Sequence, residues 1–232
     1  MEEYFTNQKK NLEKNRNFEP FSILAPQVQN LYEKSLYLLP ETVDDFFDRI
    51  ILVCYQSFLS AMSLIGQGQP QDAAPITRRA IEACRIAEAY KMESASIEDW
   101  IAYEEINERW RLRIIGEKPD KKIYFSPRPK HPLLIELMDI WGVYSDAHIH
   151  FTPEYFKSLN WRQKNKHSFL IYFQTDNKTL AREIITTTSV HLKILQFIDE
   201  LLDLSLSANK VWKTIANKLI NDEEKISKKY LL

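Results

Sequence analysis

Glycine is scarce in this chain, with four in 232 residues. Gly66 and Gly68 sit together and Gly116 and Gly142 stand alone, so neither GxGxxG nor a P-loop can be written, and phosphate sites built on glycine-rich loops are excluded. Cysteine is scarcer still. Cys54 and Cys84 make neither a disulfide framework nor a CxxC metal pair, which predicts a reducing compartment and a cytoplasmic protein. An excess of one charge is missing too: 31 Lys and Arg against 32 Asp and Glu leave a net charge of −1, so the molecule as a whole exerts no pull on nucleic acid. Long apolar runs are also lacking. Residues 50–71 carry no charge, but they hold Gln56, Ser57, Ser60, Ser63, Gly66 and Gln67, and the apolar part ends at Ile65. That falls short of the roughly 20 apolar residues of a membrane span, so a buried core helix and no membrane partner are predicted. The opening MEEYFTNQKKNLEKN is charged from its second residue and does not read as a signal peptide.

What is present is globular: 44% hydrophobic and 27% charged residues, enough for a sizeable core. The patterning predicts an all-α, multi-helix bundle of about seven helices, a single domain over residues 1–232 with residues 1–20 loosely docked. Its base is an antiparallel helical hairpin, about 42–65 and 71–92, joined by the turn Gly66-Gln-Gly-Gln-Pro70. Thr42 is read as the cap of the first arm, whose middle is apolar nearly all round. The second arm is read as the helix the others pack around: Ala73, Ile76, Ala80, Ala83, Cys84 and Ala87 share a face, and Pro75 falls in its first turn. Cys54 and Cys84 come out level across the hairpin as buried small hydrophobes. Pro20 and Pro26 are taken to bracket an irregular stretch before a helix over residues 27–39. Further helices are read from Ser96 to about Ile115, over 133–143, in a short segment after Thr152, over 178–206 and from Lys210 to about Tyr230. One small β element at most is expected, pairing residues 168–174 with 123–125 or with a second copy of the chain. His191 lies on the apolar stripe of the 178–206 helix and reads as a satisfied core histidine.

No motif in the chain has a unique chemical meaning. The candidate polar site combines Arg78, Glu82 and Arg85, at helical spacing, with Tyr144, Ser145, Asp146, His148 and His150. In extended chain Asp146, His148 and His150 would point the same way, a sensible metal set. Without HExxH, ExxH or a second carboxylate cluster, capping or hydrogen bonding is favoured, and no metal or cofactor is expected. Candidate nucleic-acid contacts are Arg111, Arg113, Lys121, Lys122, Tyr124, Arg128 and Lys130, where basic side chains and aromatics interleave; a solvated loop is preferred because the whole protein is not basic.

Arg78 with Glu82, and Tyr144, Ser145 and His148, resemble the Arg-x-x-x-Glu helix and the Tyr-x-Ser-Asp/x-x-x-His helix end of poorly characterised bacterial helical-bundle proteins of unknown function, the DUF5677 type, distantly HEPN-like. His150 shadows His148 in that pattern. The resemblance covers the middle third of the chain and implies an all-α intracellular domain in which Arg, Glu and His meet. Separately, Arg162 and His167 fit the Arg-x4-His spacing of HEPN ribonucleases, helical RNA-cutting domains whose Arg and His act on the scissile phosphate. The reading is therefore a homodimeric, non-catalytic interaction or ligand-binding module with a polar Arg/Glu/His cluster. The alternative is a HEPN-like, metal-independent RNA endonuclease.

Overall fold

The computed structural model describes residues 2–92, 129–144 and 176–232, together with Glu105 and Arg109. Of the helix expected after Ser96 only Glu105 and Arg109 are described, both helical; the short helix expected after Thr152, the residue pairs of the β element and the Arg162–His167 spacing lie outside the described residues. Seven α-helices and no strand occur among those described, so the protein is an all-α bundle. The helices are α1 (Glu2–Arg16), α2 (Glu19–Tyr37), α3 (Asp45–Gly66), α4 (Pro70–Lys91), α5 (Pro132–Tyr144), α6 (Asn177–Leu202) and α7 (Lys210–Tyr230).

The α3–α4 hairpin forms as its pattern dictates. On α3, Ile51, Cys54, Phe58, Ala61 and Ile65 are buried, and α4 meets them with Ala73, Ala80, Ala83, Cys84 and Ala87. Small side chains on one arm let the bulky ones on the other approach closely. The arms join through a Schellman motif: the Gly68 amide donates to Ile65 O at 3.0 Å and the Gln69 amide to Leu64 O at 2.8 Å. Gly68 has φ 83°, the left-handed conformation that glycine adopts without a Cβ penalty. At the far end the Tyr90 hydroxyl donates to Asp44 at 2.9 Å, tying the end of α4 to the start of α3. Cys54 and Cys84 are level, as their distances from the turn imply. Both thiols are free and buried, and burial, with Cys54 hydrogen-bonded beside it, pushes the Cys84 thiol up. By length and composition α3, at 22 residues, does reach what a membrane crossing needs; half of its most apolar stretch is buried in the bundle.

Several boundaries differ from the sequence reading. Asp44, not Thr42, caps α3, accepting from the Phe46 amide at 2.8 Å. Helix α4 starts at Pro70, which puts Pro75 in its second turn. Helix α2 begins at Glu19 and runs through Pro26, where irregular chain was expected. An interior proline costs a helix about 3 kcal/mol. Here Leu24, Ala25, Val28, Leu31 and Tyr32 line one buried face spanning the proline, and their burial outweighs that cost. The N-terminal segment is a docked helix. Asn15 Nδ2 donates to Gly66 O at 3.0 Å and Asn11 Nδ2 to Gln67 O at 3.3 Å, so α1 covers the hairpin turn. A Cβ built on Gly66 would stand 2.9 Å from Leu12, which is why the turn admits α1 so closely.

Among the described residues α6 meets the most helices, packing against α2, α3, α4, α5 and α7, while α4 packs against α3, α5 and α6. Leu180, Ile184, Thr188, His191, Leu195 and Ile198 are buried along α6. It ends at Leu202, short of the expected Leu206. Asp203 and Ser205 adopt positive φ, and the Asp199 carboxylate accepts the Leu206 and Ser207 amides at 2.7 and 2.9 Å, which turns the chain into α7. Helix α7 then folds back along α2, with Trp212 Nε1 donating to Ser35 at 3.1 Å and Tyr230 to Glu19 at 2.9 Å.

Candidate functional site

Helix α5 runs antiparallel to α4 and α6. Its start lies beside Glu88 and Glu200, and its last turns lie beside Arg78, Glu82 and Glu183. This register brings polar groups together where the last turns of α5 meet the middle of α4 and the start of α6. Arg78 and Glu82, one turn apart on α4, form an ion pair with Nη2 and Oε1 at 2.9 Å. Trp141 on α5 donates its indole N–H to the same Glu82 oxygen at 3.0 Å, and the Arg78 guanidinium lies over its ring, 4.4 Å from the centroid. A guanidinium held flat on an indole gains cation–π attraction and little conformational freedom. Arg78 is thus fixed by a carboxylate and a ring, yet its buried Nε–H has no hydrogen-bond partner.

One turn beyond Trp141, Tyr144 is buried, and burial, with Glu183 of α6 adding to it, raises its phenol well above the ordinary range. Glu183 is half-buried, and burial likewise raises its carboxyl, an effect that neighbouring Arg182 partly offsets.

Of the expected polar site, Arg78 and Glu82 pair here, and Tyr144 lies one turn past Trp141 on α5. Arg85 is half-buried on α4, one turn past Glu82. Ser145, Asp146, His148 and His150 lie outside the described residues, although they follow Tyr144 directly in the chain. Among the described residues no group of three or more His, Cys, Asp or Glu could hold a metal ion. Of the basic stretch, Arg111, Arg113, Lys121, Lys122, Tyr124 and Arg128 lie outside the described residues; Lys130 is exposed, and its backbone amide donates to Glu88 at 3.1 Å.

Sequence reasoning missed Trp141 and Glu183. Trp141 reads as one more member of the apolar stripe Leu134, Leu137, Met138, and only its indole N–H hinted at a polar partner. Glu183 gave no signal, because its place beside Tyr144 depends on how α5 and α6 cross. Glu88 did carry one: it follows Thr77, Ile81 and Cys84 on the buried face of α4, where a carboxylate needs donors.

No family model, no curated protein and no solved structure matches this chain.

Proposed function

We propose that the protein is a non-catalytic ligand-binding or interaction module whose site is the Arg78–Glu82–Trp141 cluster with Tyr144 and Glu183 beside it. The observation that carries this reading is the buried, unpartnered Nε–H of Arg78. A buried donor left without an acceptor is costly, and a ligand that brings an acceptor removes the cost. Trp141 and Glu82 hold the guanidinium ready for it, so little ordering is lost on binding. The cluster's described members offer charge, hydrogen bonds and an aromatic edge, which suit recognition. The proposal includes the kinship with the DUF5677-type proteins and a cytoplasmic homodimer without a membrane partner. Light scattering of the purified full chain at micromolar concentration tests the dimer, with twice the chain mass expected.

The site itself is tested by thermal melts of wild type and Trp141→Phe with dicarboxylates and nucleoside monophosphates as acceptor-bearing probes. Probe at 100 times its Kd stabilises a binding protein by about 2.7 kcal/mol. We expect at least one probe to raise the wild-type melting temperature and to do so less in the variant, which lacks the indole N–H. Equal shifts in both proteins, or none in either, remove this site. Cleavage of single-stranded RNA by the wild type without added metal would replace the module by the HEPN-like nuclease.

A further inference from the structure

The opposite end of α5 is a second polar corner, built around His131. His131 precedes the helix and caps it. Its carbonyl accepts the Ile135 amide at 3.0 Å and its Nδ1 accepts the Leu133 amide at 3.3 Å. Pro132 has no N–H, so Leu133 carries the first helical amide that needs an acceptor, and the imidazole supplies it. The ring's other nitrogen, Nε2, lies 3.2 Å from Glu200 of α6, and Phe197 packs edge-on against the ring with centroids 5.1 Å apart. Behind the ring, the amides of Lys130 and His131 both end on Glu88 of α4, at 3.1 and 2.7 Å. Three hydrogen-bonding groups of residues 130 and 131 are thereby held against α4 and α6.

The arrangement fits one protonation state. With its hydrogen on Nε2, the neutral ring donates to Glu200 and keeps the Nδ1 lone pair for Leu133. A second proton can go only to Nδ1. It removes the acceptor, sets two N–H groups against each other, and places a cation at the positive end of α5. The charges facing the ring are Glu88 from α4 and Glu200 from α6, with exposed Lys130 beside it and the Lys193–Glu136 ion pair about a turn further along. Both acids attract an imidazolium. Glu200 is 60% exposed, so solvent screens it, and Glu88 is already committed to backbone donors. Neither restores the bond that Leu133 loses.

We propose that His131 is a pH-operated latch. Neutral, it caps α5 and fastens residues 130–133 to α4 and α6. Protonated, it lets the first turn of α5 open, with one proton taken up per opening.

Amide exchange of the full chain by NMR, corrected for intrinsic rates, tests this at pH 8 and pH 5.5. Leu133 protection should fall roughly five- to ten-fold on acidification, the size of a lost cap. The fall should track the His131 ring resonances. Ile194, buried in the middle of α6, reports global opening and distinguishes it from the local event. His131→Asn, whose side-chain carbonyl caps without titrating, should hold Leu133 protection level across the range. Unchanged wild-type protection, or the same fall in His131→Asn, overturns the latch. If the variant fails to fold, the wild-type comparison of Leu133 with the His131 titration still decides.

Discussion

Among the described residues two side-chain nitrogens sit buried without a hydrogen-bond partner, Nε of Arg78 and Nε2 of His191, and their surroundings could hardly differ more. His191 lies wholly inside the core on α6. Tyr32 reaches its Nδ1 at 2.8 Å and Phe58 packs edge-on, 5.2 Å between centroids. No ionised side chain is paired with it, so burial alone pushes its pKa down to about 3 and the ring is neutral. The Arg78 guanidinium instead is paired with Glu82 and lies on the Trp141 ring, and its side chain is still 21% exposed. An unpartnered nitrogen thus means different things in the two places. In the core it is a structural cost tolerated for packing. At a half-open edge, beside a carboxylate and an indole, it is what the proposed ligand site rests on.

The largest expected effect is on the His191 side. Its folded pKa, about 3, lies below the ordinary 6.5, so between those values the unfolded chain binds the extra proton and the folded one does not. The stability it protects is fully present above pH 6.5 and is lost as pH falls toward 3. At pH 4 the loss is on the order of 3 kcal/mol. Urea unfolding at pH 7 and pH 4 should show it, and His191→Gln should flatten the dependence. An equally steep acid loss in that variant would assign the effect to other groups.

Next comes Tyr32→Phe, which strips the partner from Nδ1 and leaves both ring nitrogens of His191 unsatisfied. We expect about 1–3 kcal/mol of destabilisation in denaturant melts, with no change in any probe-induced shift at Arg78. A similar cost, about 1–3 kcal/mol, is expected for Ala80→Leu, which overpacks the fully buried α3–α4 contact between the two regions. Wild-type stability in that variant would show that small side chains do not set the hairpin spacing. The smallest effect is expected from Arg78→Ala. Its ion pair with Glu82, whose side chain is 46% exposed, is a surface-type interaction, and together with the cation–π contact it should be worth about 1 kcal/mol or less. A loss as large as that of Tyr32→Phe would make Arg78 a structural residue and end the comparison.

Much of the bundle was legible in the sequence. The α3–α4 hairpin follows from an apolar arm, an alanine-rich arm and a glycine-containing turn, all local features. The α7 boundaries, Lys210–Tyr230, follow from a single amphipathic stripe with Asn209 as its cap. His191 was readable as a core residue from its place on the α6 stripe. The errors arose where a local rule lost to packing. Pro26 reads as a breaker, but one continuous buried face carries α2 through it. No glycine or proline marks the end of α6, because an aspartate carboxylate and two left-handed residues end it instead.

The candidate site divides the same way. Arg78 and Glu82 are one helical turn apart, so their pairing was written in the spacing, which follows from 3.6 residues per turn. Nothing in the sequence said that Trp141 would lie under Arg78, that Glu183 would face Tyr144, or that His131 would cap α5 beside Glu88 and Glu200. Those contacts join residues about 40 to 70 positions apart. Periodicity shows which face of a helix is buried, but not how far neighbouring helices slide along each other. The register of α5 against α4 and α6 is set by the summed packing of their faces, and only the tertiary structure decides it.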